Sequence, residues 1–379
     1  MRVLLFGTYD TTVHPRVATI AEGLQALGMD VSECNAPLGL DTAARVGILA
    51  HPWRVPALLA RLARRWLTLA RTARQMPAPD VVLVGYLGHF DVHLAKLLFR
   101  RVPVVLDHLV GASDTARDRR LDGGLRQVLL RAIDAAALRA ADVIVVDTDE
   151  HLAALPQRYR ARAVVVPVGA PSAWRAAAPL SPDPQAKGPL RVVFYGLYTP
   201  LQGTPVIGAA LGQLAGAKVE VTMIGSGQDE PQARSAAAAN QAVRWLSWVP
   251  AAELPALVAG HDVCLGIFGT GDKALRVVPN KVFQGAAASC AIVTSDTAPQ
   301  RRALGDAAVL VPPGDPGALA AALLGLASDR VELARLRRQA WELAEREYAP
   351  EQIVAPLARR LNPSVPLSQE SRGTGRRSA

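Results

Sequence analysis

The 379-residue chain has only three cysteines, Cys34, Cys264 and Cys290, widely spaced and without a paired CxxC. An odd, scattered set excludes a disulfide framework and a cysteine-based zinc site, and it fits a reducing compartment. Apolar runs of the roughly 18–20 residues that a membrane span needs are missing, and the opening MRVLLFGTYD turns polar after a few apolar residues. The expectation is a cytoplasmic protein, neither secreted nor integral to a membrane. The dinucleotide fingerprint is also absent: GTYDTTVHPR, after the first apolar run, has one glycine where GxGxxG needs three, and no GxxxxGK[ST] occurs. NAD and FAD chemistry is therefore disfavoured, and no cofactor is expected. Acid is scarcer than base, with 33 Asp+Glu against 42 Lys+Arg and a formal charge of +9. Such an excess expects an anionic partner, and phosphate, nucleic acid and lipid headgroups all qualify by charge. Nucleic acid fits the charge but not the motifs, because no recognition helix or aromatic–basic interleaving appears.

What is present is length for about two domains at roughly 150 residues each, and a repeating alternation of short apolar runs with helical patterns. RVLLF (2–6) stops at Gly7, and a helix follows from Pro15 to Gly28, with Pro in the first turn and Gly at the stop. VVLVG (81–85), a helix after His89, VPVVL (102–106), a helix around Leu125–Leu138 and DVIVVD (142–147) continue the series. Short β-branched runs between helices predict a parallel sheet covered on both faces. Past VVVP (164–167) the chain becomes rich in Pro, Ala and Ser without apolar periodicity, which places a boundary there and a linker over 171–188. A second series follows in RVVFYG (191–196), VEVTMIGSG (219–227), VRWL (243–246), DVCLGIF (262–268), CAIVTSD (290–296) and AVLVPPGDP (308–316). The expected fold is thus α/β, two doubly wound lobes in tandem, 1–170 and 189–348, with a polar, disordered tail over 362–379.

In open α/β sheets ligands bind at the carboxyl ends of the strands. The segment GIFGTGDKALRVVPNKVFQGAAASCAIVTSD (266–296) puts Lys273, Arg276 and Lys281 between a buried strand and a helix starting near Pro279, with Asp272 as the one acid among them. Free N–H groups and a positive dipole end there suit a diphosphate, and a solvated basic loop is the competing reading. Gly225-Ser226-Gly227 closes a strand and can bring backbone N–H groups to a phosphate or sugar, or serve as an ordinary turn. Asp147-Thr148-Asp149 has the Asp-x-Asp spacing of a divalent-metal site, against which Asp149 reads equally as a helix cap. His89 and His93 stand four apart without an evident third ligand, so no metal is expected. Asp107-His108 directly follows a strand, and the polar GASDTARDR after it is long for a simple connection. It reads as a site loop or as a buried, hydrogen-bonded histidine.

The segment WRVPALLARLARRWLTLARTAR (53–74) carries six arginines and no acid, with Leu58, Leu59, Leu62, Trp66 and Leu69 at helical spacing. A basic amphipathic helix lies either on an anionic membrane surface, here the inner face, or on a core with its basic face solvated.

Two Rossmann-like lobes, the glycine loop and PNKVFQGAAASCAIVTSD together resemble family 4 glycosyltransferases of the GT-B fold, over nearly the whole chain and most strongly over 191–326. FYGLYTPLQG is similar to the family's Phe-x-Gly-Arg-Leu…Lys-Gly opening, MIGSG to its glycine loop, VRWLSWVPAAELPALVAGHDVCLG to its nucleobase region and VLVPPGDPGALAAAL to its closing strand and helix. LLFGTYDTTVHPRV and VVLDHL fall where the family has its donor and acceptor loops. Two departures stand out: the family's basic pair falls on Leu197 and Gln202, and its paired glutamates on Arg276 and Gln284. The resemblance implies a retaining, metal-independent transfer from a nucleoside-diphosphate sugar to a sugar, lipid-linked or small-metabolite acceptor. The first lobe would take the acceptor and the second the donor, with a last helix over 349–361 crossing back to the first. Lys273 and Arg276 would take over charge stabilisation, with His108 and Asp107 facing the transferred sugar. Gly7, Arg16, Gly196, Gly225, Gly227, Trp248, Val249, Lys281 and Gln284 would line the donor. An inactive GT-B partner subunit, or a nucleotide-sugar epimerase lacking evident acids and bases, are the alternatives.

Overall fold

Strands such as Val81–Val84 and Val143–Val146 are buried at every position, which alternating patterns cannot achieve and which parallel sheets with helices on both faces require. The computed structural model describes residues 1–11, 15–39, 53, 55–109, 111–118, 124–178 and 188–363. The expected tail from 364 onward and the second half of the linker (179–187) lie outside the described residues.

The first lobe is a six-stranded parallel sheet of β1 (Arg2–Gly7), β2 (Asp30–Asn35), β3 (Val81–Val84), β4 (Val104–Asp107), β5 (Val143–Val146) and β6 (Ala163–Val165) in the order β2-β1-β3-β4-β5-β6. The edge strand β2, DVSECN, was not legible in the sequence because only Cys34 of its side chains is fully buried. Helix α1 (Arg16–Ala26) covers one face. On the other lie α2 (Val55–Ala73), α3 (Asp91–Leu98) and α5 (Gly124–Ala140), through Leu69, Val92, Ala95, Ala137 and Leu138. The polar stretch expected to be a loop forms a short helix, α4 (Ala112–Asp118), because Asp134 of α5 accepts from the N–H groups of Ala112 (2.8 Å) and Ser113 (3.1 Å). A cap supplied 21 residues away is invisible to local pattern.

The second lobe repeats the plan with β7 (Leu190–Tyr195), β8 (Val219–Ile224), β9 (Val243–Leu246), β10 (Val263–Leu265), β11 (Ala291–Ser295) and β12 (Ala308–Val311), ordered β12-β11-β10-β7-β8-β9 and all parallel. Its helices include α6 (Thr204–Gln213) and α7 (Asn280–Ala287). The first half of the expected linker is packed rather than free: Ser172–Ala176 is helical, and its buried Trp174 stacks on Tyr195 at 5.7 Å. The last helix, α8 (Pro350–Leu361), lies on α1 and puts Ile353, Val354 and Leu357 into the first lobe's core. Gly23 permits that approach, since a Cβ there would sit 2.1 Å from the Pro350 carbonyl oxygen. Among the described residues, no helix is long and apolar enough to cross a membrane.

Candidate active site

The carboxyl ends of both sheets face one another, and contacts between the lobes close one side of the cleft. Thr148 caps the helix Asp149–Ala154 and donates its hydroxyl to the Arg276 carbonyl at 2.8 Å. Arg302 of the second lobe pairs with Asp149 (3.1 Å) and Glu150 (2.5 Å) of the first. Asp149 is therefore the first residue of a capped helix, and Asp147 holds the His151 Nδ1 at 2.5 Å.

A cavity of about 550 Å³ opens between Arg117 on α4 and the loops that follow β7 and β10. Glycines shape its wall. Gly203 has a φ of 65°, and a Cβ there would lie 2.4 Å from the Phe268 carbonyl carbon; one on Gly269 would lie 2.3 Å from the Pro200 oxygen. The two loops thus run backbone against backbone, joined by the Phe268 N–H to the Gln202 carbonyl at 3.0 Å. Lys273 and Arg276, the two cations expected at the site, line this cavity together with Arg117. Arg117 was missed as an individual, and the unusual length of its polar segment was the only signal. Arg276 is held by its Nε donating to the Asp272 carbonyl at 3.0 Å.

Beside the cavity wall, Lys281 in the first turn of α7 is buried. Its Nζ contacts the Gln202 Oε1, rests 3.8 Å from the centre of the Phe194 ring and faces Gly196, where a Cβ would come within 3.2 Å. Burial lowers its pKa to about 7, with Cys264 pulling weakly the other way. Gln284, one turn on, is buried too, and its Oε1 accepts from the Tyr195 hydroxyl at 2.9 Å. That leaves its amide NH2 as the group to offer a ligand. Gly225 and Gly227 serve the loops before any ligand: Cβ atoms there would stand 1.9 Å from the Gly196 oxygen and 2.4 Å from the Tyr198 oxygen. Trp248, just past β9, is 73% exposed, and Val249 packs on the core beneath it.

The first lobe departs most from expectation. Asp107 is buried and binds Arg16 through both oxygens at 2.9 and 3.0 Å. The remaining nitrogens of Arg16 donate to the carbonyls of Val166 (3.0 Å) and Pro167 (3.2 Å). Burial pushes the Asp107 carboxyl up, and Arg16 pulls it back. The pair ties α1 and the ends of β4 and β6 together beneath the cleft, and neither side chain reaches it. Gly7 is likewise enclosed, by Tyr9 and Asp91. His108 alone remains at the strand end, its backbone N–H on the Val145 carbonyl and its ring edge-to-face with His89 at 5.4 Å. Burial, then the neighbouring His89, lowers its pKa to about 4, so the imidazole is neutral at pH 7. His89 Nε2 approaches Asp134 Oδ1 at 3.1 Å, whereas His93 is exposed on another side of α3. Among the described residues, no group of three His, Cys, Asp or Glu is placed to hold a metal.

The second lobe, over residues 189–329, matches a family model described as Glycosyl transferases group 1. No curated protein matches the chain. Solved structures do. Anabaena Alr3699/HepE in complex with UDP and glucose superposes with a TM-score of 0.68 at 15% identity, covering 95% of this chain and 99% of that one. The sucrose-phosphate synthase of Thermosynechococcus elongatus gives 0.68 at 13%, covering 95% and 97%. The UDP-forming α,α-trehalose-phosphate synthase of Burkholderia vietnamiensis gives 0.64 at 14%, covering 95% and 99%. At these identities the likeness is one of fold, and the fold is of the GT-B type, two Rossmann-like lobes facing across a cleft.

Proposed function

We propose that the protein is a retaining glycosyltransferase that moves a sugar from a nucleoside-diphosphate sugar to an acceptor, without a metal. The observation that carries this reading is the set of cations Arg117, Lys273 and Arg276 around one cavity between the lobes. Departure of a nucleoside diphosphate develops negative charge, and fixed cations at that point lower the barrier. The family-model match over the second lobe supports it, as do similar folds solved in complex with UDP and glucose and with UDP-glucose.

In this reading the exposed ring of Trp248 stacks on the base, the Gln284 amide meets the ribose, and Lys273, Arg276 and Arg117 surround the diphosphate. Lys281 backs the loop through Gln202. Neutral His108 hydrogen-bonds the transferred sugar, while Asp107 and Arg16 hold the strand ends that carry it. No protein nucleophile is needed, since the leaving phosphate accepts the acceptor's proton as the new glycosidic bond forms on the same face.

A panel of UDP-, GDP- and dTDP-sugars in a thermal-shift assay tests the donor, because a ligand that binds only the folded state raises Tm with occupancy. Turnover with an acceptor then separates the enzyme from the second reading, an inactive partner subunit. That alternative is favoured by one observation, Gln284 engaged with Tyr195 where the resembled family has a carboxylate. Binding of a nucleotide sugar without transfer or hydrolysis under any acceptor would select it. An unchanged Tm with all three donors would overturn the transferase reading and leave the partner subunit.

A further inference from the structure

Three helices of the first lobe begin with apolar side chains that the core does not cover. Helix α5 buries Leu130, Ala137 and Leu138, yet on its other side Leu125, Val128 and Leu129 are 85%, 60% and 59% exposed. Spacings of three and four place these three in one outward stripe. Helix α2 anchors itself through buried Leu62 and Leu69 and through Trp66, which packs on the core and donates its Nε1–H to Asp91 at 2.8 Å, and its apolar stripe runs on into exposed Val55 and Leu59, with Trp53 just ahead. Helix α3 packs between the two, and Phe90, immediately before it, is exposed as well.

Parallel topology puts these starts together. Each of the three helices begins on the side of the sheet where the strands end, the side that carries the cleft. The rim is also basic: Arg61, Arg64 and Arg65 lie toward the start of α2, which has no acid, and Arg126 and Arg131 flank the stripe on α5. Arg117, just before α5 in the chain, belongs to the cavity itself. Exposed apolar side chains among arginines match a lipid interface, where the apolar groups enter the acyl boundary and the cations meet anionic headgroups. A second copy of this chain would set the same excess of arginines against itself.

We infer that the rim formed by the starts of α2, α3 and α5 docks on an anionic lipid bilayer, holding the mouth of the cleft at the membrane surface. The geometry extends the basic segment 53–74 to a second, separate element, α5. The inference is independent of the transfer reaction and is read without turnover.

Sedimentation with vesicles tests it, using phosphatidylcholine alone and phosphatidylcholine mixed with phosphatidylglycerol. The full chain should pellet with the anionic vesicles, partition at least about tenfold less onto neutral ones, and be released as salt rises and the Debye length shortens. Leu125→Asp with Val128→Asp, both on the solvent side of α5, should lower partitioning by about tenfold or more while leaving Tm unchanged. Arg61→Glu with Arg64→Glu should abolish the preference for anionic vesicles. Full recovery in the supernatant with anionic vesicles at low salt overturns the inference. So does unaltered pelleting of the α5 variant. A dimer in light scattering that this variant dissolves, without vesicle binding by the wild type, would assign the stripe to a second copy instead.

Discussion

The ammonium group of Lys281 lies against the side-chain oxygen of Gln202. Position 202 is where the resembled family keeps a lysine, so the cation absent from the loop after β7 is brought to the same place from the first turn of α7. Its burial is costly, which gives the first prediction. Folded Lys281 titrates near 7, well below an unfolded lysine, so between these values the unfolded chain binds more protons and stability rises with pH. Lys281→Met should therefore stabilise the protein at pH 7, by a gain that shrinks as pH climbs toward 10, while transfer falls about tenfold or more. Thermal melts across pH and initial rates check it; a variant both less stable at pH 7 and fully active would contradict the assignment.

Arg117, Lys273 and Arg276 should each be worth about ten- to a thousandfold in kcat/KM when replaced by alanine, the range for one preorganised charge stabiliser. Because their side chains line a cavity and not a core, the variants should stay folded. Full activity in all three would move the diphosphate elsewhere.

Asp107 and Arg16 should behave as structural groups. Their ion pair is buried on both sides, and removing one partner strands the other charge, at a cost of about 3–5 kcal/mol. Asp107→Asn should lower Tm strongly and leave kcat of the surviving folded fraction nearly unchanged. A large fall in kcat at intact Tm would restore the expectation that Asp107 faces the sugar.

His108 should make the protein acid-sensitive. Its folded pKa near 4 lies below the 6.5 of a free histidine, so between these values the unfolded state binds the extra proton and stability falls as pH drops. Burial causes most of this, with His89 and His151 adding repulsion and Asp134 and Asp147 opposing it. In His108→Asn the decline of Tm between pH 6.5 and 4 should flatten. An unchanged slope would show that other groups carry it.

Chelation should leave turnover intact, because charge compensation is assigned to arginines and lysines, and Asp147 and Asp149 are engaged by His151 and Arg302. Rates with EDTA, and then with added magnesium or manganese, decide the matter. Activity lost on chelation and recovered with metal would return Asp147-Thr148-Asp149 to a ligand role.

The sequence by itself determined the two parallel sheets, since runs such as VVLV and VIVV, with helical patterns between them, have few other ways to bury every side chain. It also determined the basic segment after β10, because a helix-starting proline and three cations within nine residues are local facts. Partnerships across the chain were decided only by the tertiary structure. Arg16 meets Asp107 across 91 residues, Lys281 meets Gln202 across 79, and Thr148 meets the Arg276 carbonyl across 128. Whether a charged side chain faces a ligand or neutralises a neighbour depends on what stands opposite it, and no local period records that. The same holds for the glycines: Gly225 and Gly227 look like a phosphate loop in isolation, and only the carbonyls of Gly196 and Tyr198 folded against them reveal a backbone contact that any side chain would block.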